Sequence, residues 1–302
     1  AKGTEKALRN FLRCFGVDEE LIKLNIYSNN ETFKLKDRTL NTAVRKRYID
    51  FDDIDTRLTA SDSLAGVYGG TVYQYYTSGK AESISYIPAV SPDNSVLSGA
   101  MFTLETEVHF PKRNVVNDLR DASFPGLTSS IFGLNAVGAS NTDLTFDSDN
   151  DINFNIAVVK DLENKRSAKF ALSTTGASPV FASISNSSSF PNIYNNEKWN
   201  LAFRLRPTKA PTDESYQLNT STGYLLPAAS AYTYELYGVN FSSDIQQEEF
   251  AISGTISLAQ AEKFFAKPKR VYIGANRTNY TGTIATHSDV KVSSTRVWLD
   301  YL

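Results

Sequence analysis

Cysteine is nearly absent from this chain: Cys14 is the only one in 302 residues, so no internal disulfide and no cysteine-based zinc site can form within it. Histidine is almost as scarce. His109 and His287 are the only imidazoles, and neither accompanies a Gly-x-Ser-x-Gly elbow, so a hydrolase triad is not expected. Phosphate-binding loops and dinucleotide fingerprints are missing. No run approaches the roughly 20 apolar residues of a membrane span, and the first residues lack the apolar centre of a signal peptide. The chain begins at Ala1 without Met, which reads as a start that was processed or cut from a longer chain. An excess of one charge is missing too. Lys and Arg number 31 against 33 Asp and Glu, with both signs interspersed, which argues against nucleic acid or acidic lipid as the main partner.

Aromatic residues are abundant, with 16 Tyr and 18 Phe, and 41% of the chain is hydrophobic. That composition suits strands of a globular protein, and the length allows one large all-β unit or two smaller domains. The first sixty residues differ from the rest. In "KGTEKALRNFLRCFGV" Thr4 can cap a helix, Ala7, Leu8, Phe11, Leu12 and Phe15 recur at helical spacing, and Gly16 stops it. One face of that helix should be buried, with Cys14 packed near it, and Leu8, Phe11, Leu12 and Phe15 are the candidate docking anchors. A basic cluster at Arg45, Lys46 and Arg47 precedes Asp50, Asp52, Asp53 and Asp55, the pattern of a solvated face. A turn-rich stretch over 59–70 then divides residues 1–60, an N-terminal helical docking segment, from a β-rich domain over 61–302.

From about residue 66 the apolar period becomes two. Phe102, Leu104, Val108 and Phe110 fall on one face of "FTLETEVHF", Ile152, Phe154, Ile156 and Val158 share a face, and so do Trp199, Leu201, Phe203 and Leu205. These are half-buried antiparallel strands. Further strand patterns are separated by Gly, Pro, Asn, Asp and Ser, and one helix interrupts them, with Ser257 and Gln260 as a capping box and Pro268 after its end. The expected fold is mainly β: an antiparallel jelly-roll sandwich with a small N-terminal α/β segment.

The ordered strands "ISYIPA", "GAMFTLETEVHFP", "SSIFGL", "INFNIAVV", "KWNLAFRLRP", "YTYELYGVN", "RVYIGA" and "VSSTRVWLDYL" resemble those of laminin-G-like, concanavalin A-like jelly-roll domains over about residues 80–302. Val108 departs from the tryptophan that family shows after "FTIE", and "LYGVNFSSD" replaces its "LYVNG" hairpin. The opening "KGTEKALRNFLRCFGV" resembles the "KGT" helix of tail and baseplate-wedge proteins of contractile-tailed phages. Together the resemblances imply a non-enzymatic structural protein of a phage virion, tail- or baseplate-associated, with other virion proteins as partners. The alternative is an extracellular, lectin-like carbohydrate-binding module recognising host cell-surface glycan. The two are compatible in a tail-borne adhesin, and a homo-oligomer would give such an adhesin avidity.

Candidate sites follow from residue type. "GANRTNYTG" offers Asn276, Arg277, Asn279 and Tyr280, with His287 beyond it, as sugar-binding groups through amide bonds and ring stacking; the same residues suit a tight turn. Asp147, Asp149 and Asp151 alternate as in a calcium loop, but Ile152 and Val158 stand where an EF-hand needs Gly and Glu, so either a lectin-like calcium site or a plain acidic turn remains. Glu105 and Glu107 share a strand face without the third carboxylate of a retaining glycosidase array, which reads as a solvated outer face. Trp199 and Trp298 are the rings that could stack on a sugar. Trp199 belongs to a core row, whereas Trp298 shares a face with Arg296 and Asp300, which also suits a domain or subunit contact.

Overall fold

The computed structural model describes residues 5–16, 47–52, 70–74, 87, 100–112, 127–137, 146–164, 166–208, 216–218, 225–227, 231–242, 245–280 and 282–302. The chain divides into two compact units, residues 1–45 and 46–302. In the first, helix α1 runs over Glu5–Cys14. Gly16 ends it in the left-handed region, at φ 74°, and donates its N–H to the Arg13 carbonyl at 2.9 Å. The face expected to be buried is open: Phe11 and Phe15, edge to face at 4.9 Å, are 58% and 70% exposed, Leu12 is half-buried, and Cys14 is exposed rather than packed. The side chain of Leu8, the stretch Arg45–Lys46 and the turn-rich stretch over 59–69 lie outside the described residues.

The second unit is built on two six-stranded antiparallel sheets. The first contains β1 (Ile49–Asp50), β3 (Phe102–His109), β8 (Lys198–Pro207), β11 (Ala231–Ser242), β12 (Ile245–Ser257) and β16 (Lys291–Trp298), in the order β1-β16-β3-β8-β11-β12. The second contains β2 (Thr71–Tyr73), β4 (Thr128–Ala136), β5 (Phe154–Lys160), β6 (Ala168–Thr174), β7 (Ile184–Ser185) and β13 (Lys269–Gly274), in the order β2-β13-β4-β5-β6-β7. The chain crosses between sheets after β1, β2, β3, β7, β12 and β13, which makes a jelly-roll sandwich. Two short hairpins accompany it, β9 (Tyr216–Leu218) with β10 (Leu225–Pro227), and β14 (Asn276–Arg277) with β15 (Ile284–Thr286).

Period-two alternation fills the space between the sheets. Trp199, Leu201, Phe203 and Leu205 of β8 point inward and are fully buried, with Phe203 4.3 Å from Phe154 and Trp199 5.1 Å from Phe170, centroid to centroid. Thr106 is the polar exception on the inner face of β3. Its hydroxyl is satisfied by the Ser293 carbonyl at 3.2 Å and the Thr295 hydroxyl at 2.9 Å, both supplied by a bulge in β16. The second helix, α2 (Leu258–Phe265), starts at the expected capping box of Ser257 and Gln260 and places Phe264 within 5.4 Å of Phe102 and of Phe181, where it helps close the core.

Two buried polar features constrain the sandwich further. Asp289 is fully buried, ion-paired with Lys160 and accepting from the Tyr194 hydroxyl at 2.7 Å, so the segment before β16 is tied to β5. Lys269 is buried as well. Its ammonium donates to the Lys267 carbonyl at 2.7 Å beyond α2 and lies over the Phe264 ring, and burial pushes its pKa down to about 7. Between that value and the ordinary 10.5 the unfolded chain binds more protons than the folded one, so stability rises with pH across the window and the deficit is complete below pH 7. Denaturant unfolding between pH 7 and 9 should show this rise, and Lys269→Met should flatten it; an unchanged slope in the variant would contradict the assignment.

Candidate functional site

The loop that the sequence marks for sugar binding turns its side chains into the fold. Arg277 is buried, donating through Nε to the Thr71 hydroxyl at 3.1 Å and through Nη1 to the Gly282 carbonyl at 2.7 Å. The Asn279 carbonyl oxygen accepts from the backbone N–H of Phe146 at 2.8 Å and of Tyr280 at 2.9 Å. Tyr280 is 9% exposed, edge-on to Tyr73 and Phe146, with the Arg270 guanidinium 4.8 Å from its ring, and burial holds its phenol well above the usual range. Asn276 pairs with Thr286 across the hairpin and is half-buried. His287 accepts from Ser130 through its carbonyl, and burial lowers its imidazole pKa. Arg277 and Asn279 are thus engaged within the turn, while the Tyr280 hydroxyl is buried with no hydrogen-bond partner among the described residues.

The three alternate aspartates meet two lysines. Lys267 Nζ lies 2.9 Å from Asp147 and 3.0 Å from Asp149, and Lys263 Nζ lies 3.1 Å from Asp149 and 2.6 Å from Asp151. The ammonium groups occupy the positions a cation would take, and the cluster fastens α2 to the turn before β5. Among the described residues no group of three or more His, Cys, Asp and Glu is arranged to hold a metal. Partial burial raises the Asp149 carboxyl, but hydrogen bonds from Lys267 and Lys263 outweigh it and leave the pKa at about 2. Its contribution to stability is therefore present above the ordinary 3.8 and lost as pH falls toward 2. Millimolar calcium should leave the melting temperature of the wild type unchanged, and Lys267→Met should move acid unfolding to higher pH; a calcium-dependent rise in Tm would reverse the picture.

An open groove of about 540 Å³ lies on the outer face of the first sheet. Register builds it in rows. Arg296, Glu105, Ala202 and Tyr237 lie side by side across β16, β3, β8 and β11; Ser293, Glu107, Asn200 and Val239 form the next row, and Trp298, Thr103, Arg204 and Glu235 the one beyond. Ala202 is small and sits between larger neighbours, so the floor dips there. Arg204 stacks on Tyr237 at 3.9 Å, ion-pairs with Glu235 at 3.0 Å and donates to the Leu302 carbonyl at 2.8 Å, which fixes a guanidinium and two tyrosine rings, Tyr237 and Tyr301, as one wall. At the opposite wall Arg296 reaches the Glu105 carboxylate at 3.3 Å, and Trp298, 40% exposed and just beyond the lining, donates from its indole N–H to the same carboxylate at 3.1 Å. Hydrogen-bonding groups with both polarities thus line a trough flanked by aromatic faces.

Glu107 departs from the expected solvated face. It is 8% exposed because Tyr48 covers it and donates to its carboxylate at 2.9 Å, with Lys198 3.7 Å away. Burial first, and then Glu107, pushes the Tyr48 phenol up to about 12, while burial lowers the pKa of His109, whose ring is 5.8 Å from Tyr48. The sequence offers Trp298 as a ring for sugar stacking, but it separates Glu105 and Arg296 from the candidate sugar residues and passes over Arg204 and Tyr237. The alternation of β8 and β11 places the last two on the face opposite the core rows, which was the available signal.

No family model and no curated protein matches the chain. Among solved structures it is similar to the marine PL-14 alginate lyase from Aplysia kurodai, at 7% identity over 76% of this chain and 82% of that one with a TM-score of 0.32. It is also similar to a legume lectin-like domain from Entamoeba histolytica, at 8% identity over 66% of this chain and 73% of that one with a TM-score of 0.30. At these scores neither likeness carries residues or an activity over to this chain.

Proposed function

We propose that the protein is a non-enzymatic, lectin-like carbohydrate-binding module whose recognition surface is the groove on the outer face of the first sheet. The observation that carries this reading is the Tyr237 ring in the groove, with Tyr301 against Arg204 and Trp298 against Glu105 just beyond the lining, and Asn200, Glu105, Arg296 and Arg204 around a shallow floor. Sugar rings present apolar C–H faces that stack on aromatic rings, and hydroxyls that need both donors and acceptors. The walls are held by cross-strand pairs and ion pairs, so little order must be gained on binding.

On a glycan array, the wild type should give specific binding that Tyr237→Ala and Trp298→Ala each weaken by about tenfold, the effect of losing roughly 1.4 kcal/mol of contact. Ala202→Phe, which fills the floor, should abolish it without lowering Tm by more than a few degrees. Binding lost instead through Asn276→Ala, with Tyr237→Ala silent, would move the site to the 276–280 loop.

A second role, attachment to a virion or other assembly, is favoured by the exposed Phe11 and Phe15 of α1. Removing residues 1–45 should then abolish incorporation into phage tails while leaving the sandwich folded and glycan binding intact. Normal incorporation of that truncation would reject the attachment role.

A further inference from the structure

A second depression, of about 530 Å³, adjoins the groove at its Phe241 end, and that residue lines both. It is framed by the loop before β8, with Asn192, Asn195 and Glu197, and by the facing ends of β11 and β12, with Asn240 and Glu248. We propose that this depression continues the groove as a second sugar-binding stretch, so that the ligand is a polysaccharide chain several units long whose units at the Phe241 end carry no acidic group. The inference rests on the reading of the groove as a glycan site.

Length comes first. The outer face of β8 carries Arg204, Ala202 and Asn200 in the groove, and Lys198 follows in the second depression. The six residue steps of strand from Arg204 to Lys198 span about 20 Å, enough for several sugar rings laid end to end. Phe241, 46% exposed at the junction, offers a ring face between the two stretches. A bulge at Gln247 of β12, opposite Asn240 and Phe241, changes the register of the two strands there.

Chemistry follows from the lining. Asn192 and Asn196 hold left-handed backbone conformations, φ 61° and 63°, in the loop that presents Asn195 outward. Amides can both donate to and accept from sugar hydroxyls. The Glu197 carboxylate is oriented by the Asn240 amide at 2.9 Å and the Trp199 indole N–H at 3.3 Å. Burial, and then the neighbouring Glu248 charge, raises the Glu197 carboxyl, and burial raises Glu248. Two carboxylates that already oppose each other's charge accept hydroxyl hydrogens and repel a further anion. The one cation of this lining, Lys198, lies 3.7 Å from Glu107, which draws its charge toward the groove.

The test uses the full chain and oligosaccharides of two to six units released from the polysaccharide that binds most strongly on the array, measured by calorimetry. The hexasaccharide should bind about tenfold or more tighter than the disaccharide, as expected when a second stretch is engaged. Asn192→Ala and Asn195→Ala should remove that gain while leaving the disaccharide affinity unchanged, whereas Tyr237→Ala weakens both lengths. Oxidising the hexasaccharide to carry acidic units should lower its affinity, and Glu248→Gln should narrow that loss. Equal affinity of the two lengths, or an Asn195→Ala effect that is the same at both, would overturn the inference and leave the groove standing. Absence of binding to any polysaccharide would remove the glycan reading and this inference with it.

Discussion

The structure depends on one strand used on both sides. The inner row of β8, Trp199, Leu201, Phe203 and Leu205, packs against Phe154, Phe170 and Phe181, and that contact holds the two sheets together. Because side chains alternate, the same packing fixes the outward direction of Asn200, Ala202 and Arg204. The groove is therefore a consequence of the core. Its floor can move only if the sandwich does, so its walls are as rigid as the sheet that carries them.

Around that strand, charge is used for fastening. Lys263 and Lys267 anchor α2 to the aspartate turn, Lys160 and Asp289 anchor the segment before β16, and Arg204 with Glu235 anchors the tyrosine wall. These pairs differ in exposure. The Lys160–Asp289 pair is buried, where losing one partner would strand a charge, while Lys263 of α2 and Lys267 just beyond it are partly exposed, where each pair contributes less alone. The groove keeps a different balance. There Glu105 accepts from both Trp298 and Arg296, and the acceptors and donors of the groove stay in reach of a ligand.

Much of this was legible in the residues. Period two identified the inner rows of β3, β5 and β8, and the Ser257–Gln260 box marked the start of α2. The turn chemistry of "GANRTNYTG" was legible as well, but residue type alone could not say which way Arg277 and Tyr280 point; their partners Thr71, Tyr73 and Phe146 are far away in sequence. Glu107 was misjudged for the same reason, since its cover, Tyr48, comes from a distant segment. The groove was hidden because it is a property of register. Nothing local says that Arg296 lies beside Glu105, or that Ala202 separates Glu105 from Tyr237.

The most direct measurement uses the two tryptophans as reporters. Trp199 is buried in the core and Trp298 stands at the groove wall, so acrylamide should quench only the second in the free protein. Titrating in a polysaccharide that binds on the array should shield Trp298 and reduce quenching toward the level of Trp298→Phe, with no effect of the sugar in that variant. Saturating binding that leaves the quenching of Trp298 unchanged would show that recognition occurs elsewhere on the protein.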